Sequence, residues 1–170
     1  MLIRRYQPED LVRIARLFYE TVHTVNRKDY SAEQVRVWAG KKDRLLDRAE
    51  FFDRLYTLVA VEGGQVAGYG NIDSTGYLDH LFVHKDYQRK NVATMLCDEL
   101  EKQALLQGTP LVTVHASITA KPFFEQRGVP GIETAAGSGG GHCPHQLCDG
   151  KTADEMNIKI RTDVDSVSQK

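Results

Sequence analysis

The run Gln88-Arg89-Lys90-Asn91-Val92-Ala93-Thr94 holds the most explicit chemistry in this chain. A strand-like stretch, Leu78 to Val83, leads into it and a long helical stretch leads out, so its amides fall at the opening of a helix. The first four amides of an α-helix lack internal acceptors and lie at the positive end of the helix dipole. A diphosphate suits such an end, and Arg89 and Lys90 stand where they would neutralise its charge. The plainer reading is a solvated basic turn that opens a core helix.

Other residues offer proton transfer or pocket surface. Asp79 and His80 are candidates for a general base, since imidazole titrates near neutrality. Neighbours on a strand face opposite sides, so at most one of the two should reach a cleft. His115 and Ser117 are weaker candidates of the same kind. Tyr30 and Trp38 suit the wall of a substrate pocket, or else anchor their helix in the core. His142, Cys143, His145 and Cys148 are potential metal ligands, but their spacing fits no common zinc pattern, so no metal is expected.

These residues need elements to position them. Leu2 to Tyr6 reads as a strand stopped by Pro8. Leu11, Ile14, Ala15, Phe18, Val22 and Val25 recur at helical spacing and form one buried stripe. Ser31 with Gln34 is a capping box opening a second helix through Trp38, and the charge-rich segment 41–54 also reads as helical. Tyr56 to Glu62 and Gln65 to Asp73 are strands joined at Gly63-Gly64, a hairpin signal. Gly76 to Val83 is a further strand. In the helix from Asn91 to Leu106, Val92, Leu96, Leu100 and Ala104 repeat every four residues, and Gly108 closes it. Leu111 to Ala116 is a strand, and Ile118 to Arg127 a helix ended by Gly128. A meander followed by strand–helix–strand implies an α/β fold with a mixed, mostly antiparallel sheet flanked by helices.

Two stretches carry a family resemblance. Gln88 to Ala93 resembles the Q/R-x-x-G-x-G/A loop of the GNAT N-acetyltransferases, which binds the pyrophosphate of coenzyme A through backbone amides. Asn91 stands where glycine is usual, and asparagine is the side chain that best tolerates positive φ. His115-Ala116-Ser117 with Phe123-Phe124 and Gly128 is similar to the family's second coenzyme-contacting segment, A-x-x-F-(F/Y)-x-x-x-G. Tyr30-Ser31-Ala32-Glu33-Gln34 with Trp38 resembles a helix of one bacterial subgroup. Together these cover residues 2 to 128.

The resemblance implies transfer of an acetyl group from acetyl-CoA to a primary amine of a small molecule or peptide. The strand after the long helix would splay from its neighbour to admit pantetheine, and an amide of Phe82 or Val83 would polarise the thioester. Gln88 to Thr94, Ser117 and Phe124 would contact the cofactor. Many members carry a tyrosine at the second aromatic position, where it protonates the departing thiolate; phenylalanine has no proton to give. A coenzyme-binding protein without catalysis is therefore an alternative, and a metal-binding interaction protein using the His/Cys tail is another.

Bulk properties narrow the classes. The 170 residues suffice for one domain. With 22 basic and 23 acidic side chains, the net charge of −1 leaves no footprint for nucleic acid or an anionic membrane. No apolar run reaches membrane-spanning length, no secretory signal is apparent, and 3 cysteines build no disulfide framework. A cytoplasmic protein is expected, and a homodimer is compatible with the sequence.

After Gly128 the pattern changes. The family closes its sheet with two more strands, whereas 128–157 has a Gly/Ala/Ser cluster and no alternation. Read one base later, suitable codons for Val129 to Lys151 give FRVSKQQQVVVAVIALTNFVMEK, a β-branched run followed by a string resembling the subgroup's closing strand. Met156-Asn157 then necessarily yields a stop. A frameshift near Val129 accounts for this, leaving 1–128 as the domain and 129–170 as a disordered tail, with the C-terminal strands missing.

Overall fold

The computed structural model describes residues 1–47, 49–109 and 111–127, together with the backbone of two short segments, Gly131–Ile132 and Asn157–Arg161. Strand β1 (Leu2–Arg5) leads through a 3₁₀ turn at Pro8–Asp10 into α1 (Leu11–Thr24). Asp10 closes this corner: its carboxylate accepts from the two terminal nitrogens of the Arg4 guanidinium, at 2.7 and 2.9 Å, and from the Gln7 amide at 3.0 Å. The predicted stripe of α1 is buried at Ile14, Ala15, Phe18 and Val22, with Leu17 and Thr21 added.

Helix α2 (Ala32–Ala39) opens on the expected capping box, Ser31 Oγ accepting from the Gln34 amide and Gln34 Oε1 from the Ser31 amide. The charge-rich segment forms two short helices, α3 (Lys42–Leu46) and α4 (Ala49–Arg54), which bury Leu45 and Phe52. Then β2 (Tyr56–Glu62) and β3 (Gln65–Ile72) form the hairpin, with Gly63 and Gly64 both at positive φ, as a tight primed turn requires. Strand β4 (Tyr77–Val83) is followed by a 3₁₀ turn, α5 (Val92–Leu106), β5 (Leu111–His115) and α6 (Lys121–Gln126).

Helix α6 starts three residues later than its sequence pattern suggests. Ser117 holds the preceding turn, its carbonyl accepting the Ala120 and Lys121 amides, and Pro122 then sits in the first helical turn, where a missing N–H costs nothing.

Strands β1 to β4 are antiparallel in chain order and β5 joins β4 in parallel, the mixed sheet expected. One difference lies beyond β5. The sequence reading left no strand after residue 128, yet β7 (Asn157–Arg161) runs parallel to β5, and β6 (Gly131–Ile132) pairs with it. The alternation of Ile158 and Ile160 with Lys159 and Arg161 is the period-two pattern behind it. The rest of the proposed tail, including His142, Cys143, His145 and Cys148, lies outside the described residues.

Each sheet face carries its own core. On one, α5 and α6 pack Val92, Leu96, Leu100 and Phe124 against Leu58, Ile72, Leu78 and Val112. On the other, α1 to α4 pack Ile14, Phe18, Val35 and Phe52 against Val59 and Tyr69. The α5–α6 core reaches β4 and β5 where they pair, through Leu78, Val112 and Val114, and the α1–α4 core reaches the end of β4 through Phe82.

Candidate active site

The loop that ends β4 is built by side chains bonding to its own backbone. His84 caps the 3₁₀ turn, its Nδ1 accepting the Asp86 amide at 3.2 Å. Gln88 reaches back to donate to the Val83 carbonyl at 2.6 Å, tying the loop to the strand. Arg89 and Asn91 then both adopt the left-handed region, with φ of 59° and 60°. That conformation costs an ordinary residue about 1 kcal/mol or more, and two such residues flanking Lys90 mark a backbone held for a purpose. Alternating handedness turns successive amides toward one concavity, the geometry of an anion-binding nest.

Those amides are available. From Arg89 to Thr94 none finds a well-aligned acceptor among the described residues, and Met95 is the first to donate within the helix, to the Asn91 carbonyl at 3.0 Å. The loop's charge is presented outward: Arg89 is exposed, and the Lys90 ammonium lies 4.8 Å from the Tyr87 ring centre. Asparagine therefore does adopt the conformation for which the sequence comparison expected glycine.

Beside this nest the sheet opens. Strands β4 and β5 pair only at Tyr77↔Thr113 and Leu78↔Val114, and the remainder of β4, to Val83, runs on without a β5 partner. Backbone direction alternates along a strand. The His84 amide donates to Ala67 of β3 at 2.8 Å, and the His80 amide to Asn71 Oδ1 of β3 at 2.9 Å, so Phe82 between them also faces β3. Leu81 and Val83 therefore turn their amides toward the opening. Of the two amides the resemblance offers for a bound carbonyl, that of Phe82 is turned to β3 and that of Val83 to the opening. The Val83 carbonyl is already occupied, by Gln88 and by the Thr21 hydroxyl at 3.2 Å.

On the α1–α4 face stands the candidate base. The β3–β4 register runs Asn71↔His80 and then Ile72↔Leu78, so Asp79 is the extra residue of a β-bulge. The bulge overrides the alternation argument. Instead of facing apart, Asp79 Oδ2 and His80 Nε2 lie 3.6 Å from each other. The imidazole is ringed by Phe51, Phe52, Tyr69 and Phe82, with centroids 5.7 to 5.9 Å away. Two buried polar atoms on the flanking strand, the Tyr69 hydroxyl and Asn71 Nδ2, lack partners among the described residues. Buried polar groups are seldom left so, and these two suit a water or the polar end of a substrate. Sequence reasoning passed over both, since a tyrosine and an asparagine inside a strand pattern carry no positional signal.

Tyr30 and Trp38 reach the same region. Trp38 packs edge-on to Phe82 at 6.2 Å, and Tyr30 edge-on to Trp38 at 5.3 Å.

Comparison with known proteins bears on the family resemblance that these motifs carry. The family model described as an acetyltransferase (GNAT) domain matches residues 26–133. The chain belongs to this GNAT acetyltransferase family. It is 34% identical over 130 residues to an uncharacterized N-acetyltransferase, YafP, of Escherichia coli K12, covering 74% of this chain and 79% of that protein. A GCN5-related N-acetyltransferase structure from Rhodopseudomonas palustris is also 34% identical, with a TM-score of 0.74 over 78% of this chain and 82% of its own. The paia N-acetyltransferase of Thermoplasma acidophilum, solved in complex with coenzyme A, shares the fold at 21% identity, with a TM-score of 0.64 over 81% and 93% of the two chains.

Against this GNAT frame the remaining predicted residues sort themselves. Val92 opens α5 but is buried beneath the loop, so its amide alone is offered. Ser117 lies just past β5, its Oγ accepting the Ala120 amide at 3.2 Å. Phe124 is 2% exposed, a core residue of the α5 face. A shallow depression of about 300 Å³, lined by Asp47, Glu50, Phe51 and Arg54 among others, opens at α3–α4 and touches the site through Phe51. No cluster of metal-ligating side chains occurs among the described residues. No helix among them is long and apolar enough to cross a membrane.

Proposed function

We propose that this protein transfers the acetyl group of acetyl-CoA to a primary amine of a small molecule or peptide. The observation that carries the reading is the pair of left-handed residues, Arg89 and Asn91, followed by amides without acceptors where β4 and β5 diverge. The nest amides through Thr94 would hold the diphosphate, with Arg89 and Lys90 supplying positive charge. Gln88 acts on the loop by fastening it to Val83. The pantetheine arm fits the opening, where outward-facing backbone of β4 offers it strand-like hydrogen bonds.

In the reaction the amine nitrogen attacks the acetyl carbon, and proximity in the cleft supplies much of the rate. The Val83 or Leu81 amide steadies the carbonyl oxygen as it gains charge. The Asp79–His80 pair takes the proton that the amine loses, with the carboxylate orienting the imidazole. Aromatic side chains from Phe51, Trp38 and Phe82 surround that position, which favours an acceptor with an apolar or cationic body.

A coenzyme-binding protein without turnover is the second reading, favoured by the burial of Phe124 where an acid is wanted. Measuring thiol release from acetyl-CoA across a panel of primary amines separates the two. Catalysis predicts release above the rate of hydrolysis with at least one amine, and an Asp79→Asn, His80→Gln double variant that loses most of it. Saturable coenzyme binding with no release from any amine would favour the second reading.

A further inference from the structure

We infer that Tyr30 is the acid that protonates the departing thiolate, a role distinct from lining the acceptor pocket. The inference rests on the acetyl-CoA reading above. The linker between α1 and α2 crosses the site from one strand to the other. On the β4 side the Tyr30 ring stands against Trp38, and Trp38 against Phe82. On the β5 side the Tyr30 phenol oxygen accepts the Ile118 amide at 2.8 Å, just past the end of β5. Asp29, the preceding residue, accepts the Thr119 hydroxyl at 2.7 Å and fixes the same crossing. Tyr30 thus spans the two arms between which a thioester would lie.

The hydrogen bonds have the polarity the task requires. A phenol has two lone pairs and one proton. The Ile118 amide engages a lone pair and leaves the phenol its own proton to give. The phenolate left behind keeps the Ile118 amide as a donor, which lowers the cost of giving it. Burial, the largest influence on this group, raises the phenol above its ordinary 10.0, so the proton is held at neutral pH.

The step balances. A bond forms between the amine nitrogen and the acetyl carbon, and the C–S bond breaks with its electron pair moving to sulfur. The Tyr30 proton passes to sulfur, giving the free thiol and a phenolate. The amine's proton goes to Asp79–His80 and on to solvent, and the phenolate regains a proton from water.

The test uses coenzyme A itself and needs no acceptor. Its thiol is titrated in the bound complex by ultraviolet thiolate absorbance, with affinity measured by calorimetry, for the wild type, Tyr30→Phe and Thr119→Val. Tyr30→Phe keeps the ring against Trp38 and removes only the hydroxyl. The account expects affinity within about threefold of wild type and a bound thiol that titrates at higher pH in Tyr30→Phe, because a donor to the thiolate is gone. Thr119→Val, which cuts the Asp29 link but leaves the phenol, should titrate as wild type. An unshifted thiol in Tyr30→Phe, or an equal shift in Thr119→Val, overturns the assignment and reduces Tyr30 to a structural tie. Failure of the wild type to bind coenzyme A would instead sink the acetyl-CoA reading.

Discussion

At the scale of single residues, the site rests on conformations that side chains resist. Asn91 adopts φ 60° at the head of α5, so Asn91→Gly should raise stability, by up to about 1 kcal/mol, without weakening coenzyme binding; chemical denaturation with calorimetry checks both. Asp10 gives a second prediction. Burial pushes its carboxyl upward, but the Arg4 hydrogen bonds and the Gln7 amide outweigh burial and leave it below its ordinary value. A depressed folded value stabilises the protein above the unfolded carboxylate's pKa, near 3.8, and that contribution is lost as pH falls through the folded value. Asp10→Asn should therefore flatten the acid limb of the stability profile and cost about 2 kcal/mol at pH 7. Denaturation midpoints from pH 2 to 7 would show it; an unchanged acid limb contradicts the sign. The left-handed turn at Asn91 was legible because it stands at a glycine-like position of a strand–helix junction. The Asp79–His80 pairing was not, because strand alternation hides it and only the bulge brings the two side chains together.

At the scale of elements, α5 is aimed by what β3 lacks. Gly68 and Gly70 face it with no side chain: a Cβ on Gly68 would meet Val92 Cγ1 at 2.8 Å and the Phe82 carbonyl at 3.0 Å, and one on Gly70 would meet Leu100 Cδ1 at 3.1 Å. The helix thus settles close on the sheet and brings its first turn up beside the end of β4. Gly68→Val should push that turn outward, costing about 1–3 kcal/mol by overpacking and weakening coenzyme A more than it alters secondary structure. Calorimetry with circular dichroism distinguishes this from general unfolding, and unchanged affinity would show that α5 is not set by Gly68. The helix itself was plain from its four-residue apolar repeat. Its contact with two glycines was not, since a glycine in a strand pattern reads equally as a bulge or a weak point.

At the scale of the whole molecule, two cores on opposite faces of one sheet leave β4 and β5 fixed at one end and parted at the other. The order of strands and helices was readable from periodicity because each element buries one face. The parting of β4 and β5 was not, because it depends on where pairing stops rather than on any local pattern. That 129–170 is an out-of-frame tail remains our proposal, and sequencing the gene around codon 129 tests it; an unbroken frame matched by the intact mass would refute it. The family assignment says what the fold descends from, while the chemistry depends on amides left open by Arg89 and Asn91. Calorimetric titration of the full chain with coenzyme A, repeated with the pantetheine arm alone, addresses those amides most directly. The account predicts one saturable site whose affinity depends mainly on the diphosphate half; equal binding of pantetheine, or no binding of coenzyme A, would contradict it.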